Sequence, residues 1–266
     1  MPRLAWLTDI HLNFLNAAQQ DEFFAATAQI QADALLVGGD IGEAPDVVGL
    51  LQRLDEAAAR PIYFVLGNHD FYRGSIAQVR SDVTELCQER PNLHYLTANE
   101  TFEITPTVGL VGHDGWADAR VGDYEGSMIM MNDYRFIEEL ARGNKNWRLP
   151  ILNELGDEAA DHIRRVLPAA LDKHEHVVLL THVPPVREAC LYKGEPSNDE
   201  WAPHFTCKAL GDAILHTMGE WPDRSLTVLC GHTHSPGECH PKDNIRILTG
   251  AAEYGQPQIQ HILEFK

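Results

Sequence analysis

The sequence predicts an α/β fold built on largely parallel strands, and three observations predict it. Five apolar runs are near-continuous rather than alternating, as in strands covered on both faces. In the first third of the chain these runs alternate with segments of helical periodicity, giving β-α-β-α-β-α. Each run stops in Asp, Asn or His. The central stretch is Leu66-Gly67-Asn68-His69-Asp70, which follows Pro61-Ile62-Tyr63-Phe64-Val65.

Taken in order, residues 3–8 read as the first buried strand. Residues 16–31 read as a helix with Phe23, Phe24, Ala28 and Ile30 on its apolar face. Residues 33–38 form a second strand, and Pro45 opens a helix to Ala59, since Pro suits the first helical turn. A third strand at 61–66 and a helix at 75–89 follow. After Pro91 the rhythm changes to short strands at 93–96, 101–104 and 108–111, then a Gly-rich, aromatic loop at 112–135. Residues 151–173 read as a long helix that Pro168 should break or kink. A strand at 176–181, a second excursion at 184–205, a helix at 206–219 and strands at 226–230, 245–249 and 258–264 complete the chain. No repeat, low-complexity tract or linker interrupts it. One domain over 1–266 is the simplest organisation, with the second half supplying a second sheet packed on the first.

Composition narrows the functional classes. With 266 residues the chain can bury a sizeable core. Its 21 basic and 39 acidic residues give a net charge of −18, which disfavours non-specific nucleic-acid binding. No apolar run approaches the ~18 residues that span a membrane. The five cysteines are odd in number and widely spaced, without a CxxC pair, and read as reduced thiols. The chain opens directly into a strand without the layout of a signal peptide, so the expected location is cytoplasmic.

The strand ends carry the chemistry. In a parallel sheet the carboxyl ends lie on one edge, where ligands bind. That edge would gather Asp9 and His11, Asp40, Asn68 and His69, His182, and His232 with His234. Asp9 and His11 are two apart, as are His232 and His234, so in extended chain each pair points one way. The mixture of carboxylate and imidazole suits Mn, Fe, Zn or Co. It is too rich in nitrogen for calcium and too rich in oxygen for a structural thiolate zinc site. Seven ligands exceed what one ion uses, and two ions sharing a carboxylate fit the number, a geometry suited to in-line displacement at phosphorus.

In these residues the chain resembles the calcineurin-like metallophosphoesterases, whose pattern is DxH, GD, GNH(D/E), a lone His and GHxH. All five blocks stand in order as Asp9-Ile10-His11, Gly39-Asp40, Gly67-Asn68-His69-Asp70, His182 and Gly231-His232-Thr233-His234. The resemblance implies a two-sheet β-sandwich flanked by helices, in four αββα layers. It implies one metal on Asp9, His11 and His234, another on Asn68, His182 and His232, and Asp40 bridging both, with Mn favoured. It also implies hydrolysis of a phosphodiester or small phosphomonoester by in-line attack of a metal-bridging hydroxide. His69 would be the catalytic group, positioning the phosphate and protonating or stabilising the leaving oxygen, and would need an orienting carboxylate. The implied substrate is a phosphorylated small molecule or a nucleotide.

Several alternatives are weighed against this reading. Protein Ser/Thr phosphatases of the superfamily carry GDxxDRG and GNHE, whereas this chain has Gly39-Asp40-Ile41-Gly42-Glu43 and GNHD. The lipid A diphosphatase branch usually replaces the His of that block with Arg, and His69 stands here. A non-catalytic scaffold of the fold would have lost ligands, and none is missing. A metal-dependent amide or C–N hydrolase would place HxH after its first strand, where DxH stands in this chain. Arg73, His113 and Trp116 are candidate substrate contacts, against a surface ion pair for Arg73 and a self-stabilised loop for the other two. His94, His162, His174, His176 and His216 read as surface or capping residues, and Cys230 as a small packed residue.

Overall fold

A computed structural model describes residues 1–265. The first half follows the expected alternation: β1 (Arg3–Leu7), α1 (Ala17–Ala28), β2 (Ala34–Gly38), α2 (Val47–Ala58), β3 (Ile62–Val65), α3 (Ile76–Glu89) and β4 (Leu93–Tyr95). Local chemistry sets several boundaries. Asn16 and Gln19 form a reciprocal capping box at the start of α1. Ser75 caps α3 by accepting from the Gln78 amide. Pro45 lies in the turn before α2 rather than in its first turn, and Asp46 is the N-cap.

The antiparallel pair β5 (Phe102–Thr105) and β6 (Val108–His113) opens the second half. The short helices α4 (Asp133–Phe136) and α5 (Glu138–Ala141) precede the long α6 (Lys145–Lys173). Helix α6 starts earlier than expected, capped by Asn144, and runs through both Pro150 and Pro168. Helix packing outweighs the expected break at Pro168. An interior proline costs about 3 kcal/mol, whereas α6 buries Ile163, Val166, Leu167, Ala170 and Leu171 around it, at ~1.5–3 kcal/mol for each larger side chain. Then come β7 (His176–Thr181), the small hairpin β8 (Leu191–Tyr192) and β9 (Glu195–Pro196), α7 (Lys208–Glu220), β10 (Ser225–Cys230), β11 (Gly237–Lys242), β12 (Ile245–Thr249) and β13 (Ile259–Glu264). Strand β11 is not foreseen, because Gly-Glu-Cys-His-Pro-Lys has neither an apolar run nor a clean alternation.

Two sheets form. One has the order β13-β1-β2-β3-β4, parallel except for β13. The other has the order β11-β12-β10-β7-β6-β5, parallel in its four central strands. Period-two alternation divides each strand between two cores. Leu4 and Trp6 join Leu36, Val178, Leu180 and Leu229 between the sheets. Ala5 and Leu7 face Leu51, Leu54 and Val83 on the helix side. A third core packs β7 and β10 under α6 and α7. The result is a two-sheet sandwich with helices on both outer faces.

Among the histidines set aside, His216 is exposed on α7 as expected. His174 is the C-cap residue of α6, but its ring is buried. Gly109 leaves room for it, since a Cβ there would sit 2.6 Å from the imidazole. Cys230 is packed in the core under α6 and α7.

Candidate metal centre

The five blocks converge. Asp9 and His11 follow β1, Asp40 follows β2, Asn68 and His69 follow β3, His182 follows β7, and His232 and His234 follow β10. Asp9, His11, Asp40 and His234 each offer an atom within 4.8 Å of all the others. Five of the converging residues have left-handed backbone: Asp9 (φ 52°), His11 (41°), Asp40 (53°), His232 (69°) and His234 (55°). That conformation is uncommon outside glycine and clusters at functional sites.

The blocks' glycines have a steric cause. A Cβ on Gly67 would fall onto the Asp40 carboxylate, and one on Gly231 onto Asp9. Asp70 draws the same turns together. Its Oδ1 accepts from the Ile41 and Gly42 amides, each at 2.8 Å, and its Oδ2 from the Gly67 amide at 2.8 Å.

Asp40 stands at the middle of the site. Its Oδ2 lies 3.6 Å from His11 Nε2, and its Oδ1 lies 3.5 Å from His182 Nε2. On the His11 side, His11 Nε2 and His234 Nε2 are 3.1 Å apart, and His234 Nε2 is 3.3 Å from Asp9 Oδ1. On the other side, Asn68 Oδ1 is 3.1 Å from His182 Nε2 and 2.9 Å from His232 Nδ1. Ligands ~2.1 Å from one ion stand roughly 3.0–3.4 Å apart at octahedral and tetrahedral angles. The observed separations fall near that span.

Electrostatics favours cations here. Asp9 and Asp40 are 2% and 1% exposed, and among the described residues their ion-pair partners are histidines alone. Buried carboxylates need compensation. Burial alone would raise the Asp40 carboxyl, but the surrounding imidazoles, led by His182, hold it below the usual carboxylate range. Burial pushes His11 and His232 down to about 4, leaving neutral rings that can donate lone pairs. The His182 and His232 tautomers are fixed from behind. His182 Nδ1 donates to the Gly38 carbonyl at 2.8 Å, and His232 Nε2 to the His204 carbonyl at 3.0 Å. The donor set therefore fits divalent ions, in two groups that meet at Asp40.

Both long excursions support this centre, chiefly through Asp133 and His204, for which the sequence predicts no role. Asp133, on α4, accepts from Asn68 Nδ2 at 2.9 Å and from the Tyr72 hydroxyl at 2.7 Å, which turns Asn68 Oδ1 toward the histidines. His204 ties the excursions together through Tyr134 Oη at 2.6 Å and Ser127 Oγ at 3.0 Å. Asp114 accepts from the Leu66 amide at 2.8 Å and the Tyr95 hydroxyl at 2.6 Å, which steadies the end of β3.

His69 lines a cleft of about 460 Å³ over Asp40, Asn68, His232 and His234, walled by Met128–Asn132, Trp201, Phe205 and Tyr254. The expected orienting carboxylate is not there. Asp70 is engaged elsewhere, and His69 Nδ1 is buried without a hydrogen-bond partner among the described residues. The ring is instead held by packing, stacked on Tyr72 at 4.3 Å and edge-on to His11 at 4.6 Å.

The three candidate substrate contacts lie elsewhere. His113 ends β6 and is buried against His162, with its Nδ1 accepting from the Gly115 amide at 3.0 Å. Trp116 packs on Phe71 in the core beneath the first sheet. Arg73 is exposed and paired with Glu43 at 3.0 Å. None of the three lines the cleft. The loop at 112–135 does reach it, but through its methionines rather than through its Gly-His-Asp-Gly-Trp start.

Comparisons with known proteins agree with this geometry. The fold is similar to that of phosphopantetheinyl hydrolase from Mycobacterium tuberculosis, with a TM-score of 0.68, 16% identity and coverage of 95% of this chain and 90% of that one. It is also similar to a dimetal phosphatase from Danio rerio, with a TM-score of 0.57, 15% identity and coverage of 94% and 88%. A 5'-nucleotidase from Candida albicans aligns with a TM-score of 0.50 and 12% identity, over 94% of this chain and 45% of that one. A search of curated protein sequences finds no match. The family profile of the calcineurin-like phosphoesterases matches residues 2–236. The chain belongs to the calcineurin-like phosphoesterase family and is a metal-dependent phosphoester hydrolase.

Proposed function

We propose that this enzyme hydrolyses a phosphodiester of a small molecule or nucleotide, with residues 1–266 acting as one catalytic domain. Asp9, His11 and His234 would hold one ion, Asn68, His182 and His232 would hold the second, and Asp40 would be shared by both groups. Manganese is the favoured metal, because hard oxygens and imidazoles share the site. The observation that carries this reading is the Asp40 carboxylate, whose two oxygens face different imidazoles at 3.5 and 3.6 Å.

Bound ions at these positions supply charge neutralisation for the phosphate and make water a competent nucleophile near neutral pH. The residues do the rest. Asp40 and the two ligand groups fix where the phosphate sits, so the entropy of alignment is spent at binding. A water oxygen bonds to phosphorus in line as the ester P–O bond opposite breaks, and the proton that this water gives up passes to solvent, which recharges His69 after turnover. His69 delivers the proton that the departing alkoxide or aryloxide requires. The products are a phosphomonoester and an alcohol.

Diesters are favoured over monoesters by charge. Among the described residues no Lys or Arg lines the cleft, and Arg73 is held by Glu43. A dianionic monoester would want such a group beyond the metals, whereas a monoanionic diester would not. Side-by-side initial rates on bis(p-nitrophenyl) phosphate and p-nitrophenyl phosphate test this with Mn-loaded protein. The expected result is diester cleavage at least tenfold faster, abolished by a chelator. Faster monoester cleavage overturns the diester preference, and absence of metal-dependent turnover on both overturns the proposal.

A further inference from the structure

We infer that the enzyme selects a phosphodiester whose retained ester arm is apolar and uncharged, and that this arm lies in a groove beside the metal centre. The inference rests on the phosphodiester reading above. The groove has a volume of about 440 Å³ and is lined by Leu191, Tyr192, Pro196, Trp201, Phe205 and Thr233, among others. Trp201, Phe205 and Thr233 also line the catalytic cleft, so the two cavities share one wall. Phe205 stands against the ring of His232 at 4.8 Å, which joins the groove to the metal side of the cleft.

The chemistry of the lining defines the arm. Leu191, Tyr192, Trp201 and Phe205 offer apolar and aromatic surface, and burying each methylene of an arm against them favours binding. Among the described residues no Lys or Arg lines the groove, whereas Glu195 does, so an anionic arm such as a polyphosphate or nucleic-acid backbone is disfavoured. Exposure supports the same reading. Tyr192 is 63% and Trp201 43% exposed, so their apolar surface is open to a ligand in the groove.

Placement decides which arm. The ring contacts of His69 are His11, Tyr72 and Tyr254, and those of Phe205 are His232 and Trp201. The two sets share no residue. The leaving oxygen departs beside His69, so the groove holds the arm that stays on phosphorus.

Two measurements test this. The first is binding without turnover: titration of the Mn-loaded protein with the methyl and hexyl monoesters of methylphosphonic acid, followed calorimetrically. The hexyl ester should bind at least ~10-fold tighter, since five further methylenes are buried. Tyr192→Ser should cut that advantage to within about threefold, and the control Trp147→Ala, on α6 away from the groove, should leave it intact. The second is kcat/KM on methyl and hexyl p-nitrophenyl phosphate, where the leaving group is constant. The hexyl preference should appear there too and respond in the same way to Tyr192→Ser. Equal binding of the two phosphonates overturns the groove assignment even if both esters are hydrolysed. Tighter hexyl binding without hydrolysis of either ester retains the groove and overturns the phosphodiester reading.

Discussion

The two proposed ligand groups that meet at Asp40 are held in different ways. Asp9, His11 and His234 are set by the strand ends themselves. Asp9 Oδ2 accepts from Thr8 Oγ at 2.6 Å, Asp9 Oδ1 from the His232 amide at 2.9 Å, and the His11 amide donates to the Asp40 carbonyl at 2.8 Å. Asn68 and His232 on the other side are set from the excursions, through Asp133 and through the His204 carbonyl. Only His182 in that group leans on a strand, at Gly38. One half of the centre is therefore part of the sheet framework. The other half is hydrogen-bonded to the two excursions that wall the cleft, so changes in those excursions and in metal affinity are linked most directly on that side.

The largest expected effect removes the element common to both halves. Asp40→Asn should lower activity by on the order of 10³-fold or more and release at least one ion, as read by initial rates and metal analysis. Breaking the loop-held half should be smaller and one-sided. In Asp133→Ala the Asn68 amide loses its carboxylate anchor and keeps only the Tyr72 hydroxyl at 3.1 Å, and the affinity of the second ion should fall by about 10–100-fold while the first stays bound. Two-step metal titration by calorimetry would show whether the loss is confined to one step. The mirror change, Thr8→Val, should weaken the first ion by roughly 10-fold and spare the second. If both variants weakened both steps equally, the division between halves would be wrong.

A smaller effect concerns the root of the first excursion. Burial pushes His113 down to about 3. In the unfolded chain the imidazole takes up a proton near pH 6.5, whereas in the folded protein it stays neutral until about pH 3. Stability is then complete above pH 6.5 and lost as the pH falls, by roughly 2 kcal/mol at pH 5 from this group. The melting temperature should fall between pH 6.5 and 5, and His113→Asn should flatten that slope. An unchanged slope in the variant would show that His113 is not the sensitive group.

Legibility in the sequence follows the same division. Strand ends can be read because burial on both faces makes β1, β2, β3, β7 and β10 near-continuous apolar runs, and each block begins where a run stops. Asp9, Asp40 and Asn68 could be placed on one edge from that pattern alone. Asp133, Tyr72 and His204 could not, since their roles depend on two irregular segments folding over the edge, and irregular backbone has no period. The Asp-Tyr pair Asp133-Tyr134 within a Gly-rich loop was the available signal, and it had no partner in sequence. His113 and Trp116 show the converse error. Their block resembles a ligand block after a strand, but the strand register turns His113 toward α6 and lets Trp116 fill the core. Helix α6 passes Pro168 because tertiary packing, invisible to local propensity, decides there.

The most direct test of a shared two-ion centre is the number of divalent ions bound per chain as Mn is titrated into metal-free protein, followed together with diester hydrolysis. Two ions should bind at saturation, activity should rise with the second, and Asp40→Asn should lose at least one ion together with the activity. Full turnover with a single ion, or two ions and undiminished turnover in Asp40→Asn, would contradict a shared two-ion centre.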